Sequence, residues 1–195
     1  MQTKPHKPLE DLLPEHISPV LRVYHEFNQL KLLYRQGWLK SGIPPERCET
    51  VAEHTLGVAV LAMWLADQYF PALDSQKLLR MALLHDFGEI YAGDITPADG
   101  VIAEDKRQQE TEAVQSIFSK LSQGEAYISC WQEFEAGRTP EARFIRQIDR
   151  LEMALQASIY RQQGLATPEE FMVSARKAIH DPELLELLVE IETMK

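Results

Sequence analysis

The chain has 195 residues, 45% hydrophobic and 26% charged, which fits one globular domain with a sizeable core. Its formal net charge of -10 argues against a nucleic-acid polymer as partner, while a small anion can still enter a locally positive pocket. Cys48 and Cys130 lack the spacing of a zinc or redox motif, the polar N-terminus has no signal-peptide core, and no apolar run reaches the roughly 18 residues of a membrane span. The sequence therefore reads as cytoplasmic, with reduced thiols and no membrane partner.

Residues 1–16 read as a mobile lead-in. From Pro19 to about Gln36, Val20, Val23, Phe27, Leu30, Leu33 and Tyr34 recur at helical spacing, and Gly37 closes that helix ahead of a loop with Gly42, Pro44 and Pro45. Thr50 to Glu53 forms a capping box, and the apolar helix behind it runs to about Tyr69. Asp74 offers an N-cap to a helix through Leu78, Met81 and Leu84 to about Tyr91. Gly93 to Gly100, with Pro97, is a loop. A charged helix spans Glu104 to Leu121, with Glu104 to Glu112 as a solvated face, and a shorter helix covers Ala126 to Glu135. Thr139-Pro140-Glu141 opens another helix, closed by Gly164. Thr167-Pro168-Glu169-Glu170 and Asp181-Pro182-Glu183 repeat that opening. No strand pattern, repeat or linker interrupts the series. The prediction is a single all-α domain over residues 1–195, a bundle of about seven or eight helices.

Three helices put ligand-type residues on apolar faces. His54 shares a row with Val51, Val58 and Leu61, so it points into the core. Met81, His85 and Glu89 form one row of the next helix, and Ala82, Asp86 and Ile90 the adjacent one. Burying such groups unpaired costs several kcal/mol, roughly, per ion, and no Lys or Arg shares those rows. A divalent cation would compensate. Asp149 lies between Ile145 and Met153 at helical spacing; Arg146 and Arg150 flank it, so a buried salt bridge is the alternative there. Two imidazoles and two carboxylates suit one Mn, Fe, Co, Ni or Zn ion better than Ca, and leave positions open for water. His6, His16, His25 and His180 have no matching context.

The pattern His54 … His85-Asp86 … Asp149 resembles the HD-domain superfamily of metal-dependent phosphohydrolases. Leu83-Leu84-His85-Asp86-Phe87-Gly88-Glu89, followed by Ala92-Gly93-Asp94-Ile95-Thr96-Pro97, looks like the bacterial deoxynucleoside 5'-monophosphatases and their eukaryotic relatives. So do Lys31-Leu32-Leu33-Tyr34-Arg35-Gln36-Gly37-Trp38, Val51-Ala52-Glu53-His54 and Gln147-Ile148-Asp149-Arg150-Leu151-Glu152-Met153. The similarity runs from about Leu30 to about Tyr160, with the motifs in the family's order.

The resemblance implies an HD-domain bundle, with His54, His85, Asp86 and Asp149 as metal ligands and Glu89 as the catalytic carboxylate. It matches Arg35 to a phosphate-binding arginine, Trp38 to a tryptophan at the sugar, and Asp94 to an aspartate near the sugar and the attacking water. Each has a plainer alternative: a partner for a ligand histidine for Glu89, a solvated charge for Arg35, core filling for Trp38 and a turn cap for Asp94. In the bacterial enzymes the arginine and tryptophan are adjacent; here Gln36-Gly37 separates them, as in the eukaryotic members. The implied activity is hydrolysis of deoxynucleoside 5'-monophosphates by a homodimer. A phosphohydrolase or phosphodiesterase acting on another small phosphate ester, and a non-catalytic metal-retaining nucleotide sensor, are the alternatives; intact Glu89 and Asp94 argue against the sensor.

Overall fold

The computed structural model describes residues 1–165 and 169–194. Along the chain it has α1 (Pro19–Leu32), the short α2 (Gln36–Lys40), α3 (Val51–Tyr69), α4 (Ser75–Leu84) and the short α5 (Glu89–Ala92). Then follow α6 (Ala103–Phe118), α7 (Gly124–Ala136), α8 (Pro140–Gln162), α9 (Glu169–Ala178) and α10 (Pro182–Thr193). Eight of these have ten or more residues, and no strand occurs among the described residues, as the all-α reading expects. Two isolated bridges, Thr3 with Leu33 and Tyr34 with Thr50, are the extended pairings.

The caps legible in the sequence form. Thr50 accepts from the Glu53 backbone while Glu53 reaches back, Asp74 accepts from Lys77, Thr139 from Ala142 and Asp181 from Glu183. Thr167 and Pro168 lie outside the described residues.

The apolar interior has two parts. One gathers Val58, Ala62, Leu78, Met81, Ile145, Ile148, Leu151, Leu184 and Leu188. The other gathers Val23, Leu30, Val51, Leu84, Phe87, Val114, Ile117 and Trp131. Along α3, Val51 belongs to the second part and Val58 to the first, and His54 falls between them. At the end of α4, Ala82 belongs to the first part and Leu84 and Phe87 to the second, with His85 and Asp86 at the crossover. The polar site thus occupies the seam between two hydrophobic clusters.

Four expectations are corrected. The first helix ends at Leu32, not beyond Tyr34, because the next residues pair as extended chain: Arg35 N–H donates to Glu49 O (3.0 Å) and Val51 N–H to Leu33 O (2.9 Å). Gly37 then lies inside α2 rather than ending a helix. The lead-in is anchored at its start, with Lys4 N–H on Leu32 O (2.8 Å) and Gln2 exchanging hydrogen bonds with the Gln36 amide (2.8 and 2.9 Å).

The helix from Asp74 stops at Leu84, and residues 85–88 tighten into turns in which Phe87 bonds Leu84 and Glu89 bonds Asp86 (both 3.0 Å). Side chains compete for its carbonyls: the His85 ring takes Ala82 O (2.6 Å), and the Trp131 indole takes His85 O (3.0 Å). The solvated face of α6 is interrupted, since Glu110 is buried and Lys106 donates to Ile95 O at 3.0 Å.

Gly88 sets how closely α6 approaches this turn. A Cβ there would lie 2.6 Å from Glu110 Cβ and 3.0 Å from Glu110 Cα. The neighbour is too near its own backbone to swing aside. Gly88→Ala should therefore lower stability by about 1–3 kcal/mol, the usual cost of overpacking, read as a lower urea midpoint in equilibrium unfolding.

Candidate active site

The Thr50 cap starts α3 so that His54 falls one turn in, its N–H donating to Thr50 O at 3.1 Å. Its ring is fully buried. Nδ1 is 2.6 Å from Glu152 Oε2; Nε2 is 3.1 Å from Asp149 Oδ1 and 3.8 Å from Asp86 Oδ2. With Nδ1 of His85 committed to Ala82 O, its Nε2 faces the other way, 3.2 Å from Asp86 Oδ2. That contact is in reach but out of alignment, and both atoms lack a hydrogen-bond partner. α8 supplies Asp149 and, one turn on, Glu152.

Donor atoms of His54, His85 and Asp149 lie within 4.8 Å of one another, and Asp86 touches both imidazoles. All four residues expected as ligands are brought together. Asp149 is not held mainly by its flanking arginines: Arg150 approaches only to 3.7 Å, and Arg146 donates to the Phe134 and Glu135 carbonyls. The set fits a divalent metal on chemical grounds. Two nitrogen donors and carboxylates converge, and unpartnered buried atoms (His85 Nε2, Asp86 Oδ2, Glu89 Oε2) call for a cation.

The electrostatics follow from burial at close quarters. Burial alone would raise the Asp86 carboxyl, but His85 and His54 outweigh it and hold its pKa below the ordinary range. Asp149 behaves likewise: burial is overcome by the His54 hydrogen bond and Arg150. Glu89 goes the other way. Burial, then Asp86 and Asp94, push it well above the usual carboxylate value, with Arg35 and Lys106 opposing only in part.

Arg35 enters from the start of α2, mostly buried, with a terminal nitrogen 3.4 Å from Asp94 Oδ1. Burial opposes its charge, but Asp94, Asp86, Glu89 and Asp149 together raise its pKa well above the usual value. Asp94 also accepts from Gln36 N–H at 2.5 Å, so it ties the Gly93 loop to the Arg35 segment. Trp38 is placed differently from the sugar contact that the resemblance implies. It is 1% exposed, lies between Tyr160 and Phe171, and donates its indole N–H to Glu49 Oε1 at 2.7 Å.

Other residues at the site were not singled out by sequence reasoning: Glu152 on His54, Glu49 behind Trp38, and the Lys106–Glu110 pair (3.4 Å). The signals were present, since Glu152 repeats the face of Asp149 at i+3 and Lys106 is followed by an acid at i+4. Glu49, His54 and Glu152 form a second ligand-type group beside a polar cavity of about 550 Å³. The 2.6 Å contact between Nδ1 and Glu152 is a hydrogen-bond distance, so this side reads as an N–H···O pair.

With this geometry in place, similarity to known proteins fixes the class. The HD domain family model matches residues 27–191, and the chain belongs to that family. Among characterised relatives, 5'-deoxynucleotidase HDDC2 of Mus musculus is 35% identical over 178 residues, covering 89% of this chain and 87% of the relative. The crystal structure of a Pyrococcus horikoshii protein superposes with a TM-score of 0.75 at 28% identity, covering 90% of this chain and 99% of that one. A Magnetospirillum magnetotacticum protein, named a predicted metal-dependent phosphohydrolase, gives 0.67 at 29% identity over 89% and 94%.

The placement of Trp38 has a direct test. A buried core tryptophan cut to alanine should cost about 3–5 kcal/mol of stability, whereas a solvent-facing ligand contact would cost almost nothing. Urea unfolding of Trp38→Ala distinguishes the two.

Proposed function

We propose that this chain is a metal-dependent phosphomonoesterase that hydrolyses deoxynucleoside 5'-monophosphates to the deoxynucleoside and phosphate. The observation that carries the reading is the convergence of His54, His85, Asp86 and Asp149 at one buried point, with unpartnered Glu89 beside them and Arg35 reaching in. The choice of substrate is supported by the relatives named 5'-deoxynucleotidase, at 35% identity in mouse and 36% in Schizosaccharomyces pombe.

His54, His85, Asp86 and Asp149 would hold one divalent transition ion, with Mn, Co, Fe, Ni and Zn all suited to the donor set. Such an ion, when bound, supplies a water acidified towards neutrality and a Lewis acid for a phosphoryl oxygen. Arg35 pairs its planar fork with two phosphate oxygens. Glu89, made more basic by burial and neighbouring carboxylates, takes the proton of the attacking water. As the water oxygen bonds to phosphorus and the bond to O5' breaks, that proton can return to the departing oxygen. Asp94 orients Arg35 and is the candidate at the sugar; Trp38 acts through Glu49 and the Arg35 segment.

The reading includes a homodimer in the cytoplasm. Leu184, Leu188 and Ile191 of α10 are buried in the core and are not available to a subunit contact. Exposed Leu56 and Trp64 on α3, and Val20, Leu21 and Tyr24 on α1, support a subunit contact instead. Among the described residues no helix is long and apolar enough to cross a membrane.

Asp86→Ala should lose bound metal and activity together, by elemental analysis and phosphate release with added Mn or Co. Glu89→Gln should keep the metal and lose roughly 10²–10⁴-fold in kcat, the scale of a general base; near-normal kcat would make Glu89 structural. Arg35→Ala should impair every monophosphate alike. For matched sugars, a 2'-hydroxyl left unsatisfied against Asp94 costs about 1–3 kcal/mol, a preference of roughly 5–150-fold for deoxy substrates. Equal kcat/KM for deoxy and ribo monophosphates would replace the deoxy reading with a broader nucleotide phosphatase.

A further inference from the structure

Gly57 stands in the middle of α3, where glycine is a poor helix former. Its backbone does not require glycine, since it is absent from the residues with positive φ. Space does. A Cβ at Gly57 would lie 2.6 Å from Glu152 Oε1, 3.2 Å from Cδ and 3.3 Å from Cγ. The missing side chain leaves the room that the Glu152 carboxylate fills. From there its other oxygen, Oε2, meets His54 Nδ1 at 2.6 Å, with both residues buried.

We propose that Gly57 and Glu152 form a positioning pair that fixes the ring orientation and tautomer of His54. The proposal rests on the metal-centre reading above. A neutral imidazole carries one N–H, and whichever nitrogen donates leaves the other as the ligand. Glu152 takes the Nδ1–H bond, so the Nε2 lone pair faces the point shared by Asp149, Asp86 and His85. A carboxylate in that place both locks the ring and strengthens the imidazole as a donor. His85 is locked by the Ala82 carbonyl instead, so the two histidines have acceptors of different strength. Without Glu152, only packing would hold the His54 ring, and the tautomer with Nδ1 free would compete.

The test is Mn²⁺ affinity by titration calorimetry on the full chain, with urea unfolding for each variant. Glu152→Leu removes the acceptor at similar volume and should weaken Mn²⁺ binding roughly 10–100-fold, the usual effect of losing such a partner. Glu152→Gln keeps an acceptor oxygen and should restore most of the affinity. Gly57→Ala replaces neither a proposed ligand nor Glu152, and acts on Glu152 only through the added Cβ. It favours the helix and displaces only the flexible end of the glutamate, so it should stay folded and still lose affinity within the same range. A merely structural role for the pair predicts unchanged Mn²⁺ binding in the folded variants, and that result overturns the proposal. Equal losses in Glu152→Gln and Glu152→Leu would overturn the tautomer account in favour of charge alone. Wild-type protein that binds none of Mn²⁺, Co²⁺, Fe²⁺, Ni²⁺ and Zn²⁺ would overturn the metal-centre reading and the pair with it, whereas wild-type binding with unaffected variants overturns the pair alone.

Discussion

Carboxylates and imidazoles buried side by side are the constraint on which this molecule is built. Each costs several kcal/mol, roughly, if left uncompensated in an apolar interior. Here Asp86, Glu89, Asp94 and Asp149 converge where two hydrophobic clusters meet, and the basic groups of Arg35 and Lys106 come in from other segments. The rest of the fold serves this crowding. The Thr50 cap sets the turn of α3, Trp131 pins the bend after α4, and Gly88 lets α6 close over the site. A bundle that sealed the seam with leucine would gain stability and lose the chemistry.

The candidate ligand positions were legible because they break a pattern. His54, His85, Asp86 and Asp149 sit on rows that are otherwise apolar, and periodicity exposes such intruders. The absence of Lys or Arg on those rows points to a cation, but it could not show that Arg35 and Lys106 arrive from elsewhere in the chain. Arg35 and Asp94 became candidates only through resemblance, because an arginine before a short helix and an aspartate after a glycine are common. Glu152 passed unnoticed between Leu151 and Met153, although it shares the face of Asp149. A glycine in the middle of an apolar helix was the other overlooked signal, since it asks what fills the gap.

Helix boundaries failed where side chains or distant backbone took over the hydrogen bonds. Nothing local stops a helix at Leu32; the pairings with Thr3, Glu49 and Thr50 do, and those partners are remote in sequence. The break after Leu84 comes from the His85 ring and the Trp131 indole on carbonyls that a continuous helix would use. Both misread boundaries lie at the site. Resemblance also led Trp38 to be weighed as a sugar contact, whereas its edge-on contact with Tyr160 and tilted contact with Phe171 place it in the core.

Thr50 has two duties, and they restrict how the family's sequences can lengthen. It caps α3 and also bridges Tyr34, beside Arg35. The start of the helix and the arginine segment are thus registered to one residue. Each residue inserted between Thr50 and His54 would rotate the imidazole by about 100° around the helix axis, away from the seam, while Arg35 stayed in place. The loop after Tyr69, by contrast, lies beyond every ligand on α3 and can absorb extra residues without changing any angle at the site. Length variation among homologues should therefore be uneven: gaps are expected between Phe70 and Asp74 and not among the three residues that join the Thr50 cap to His54.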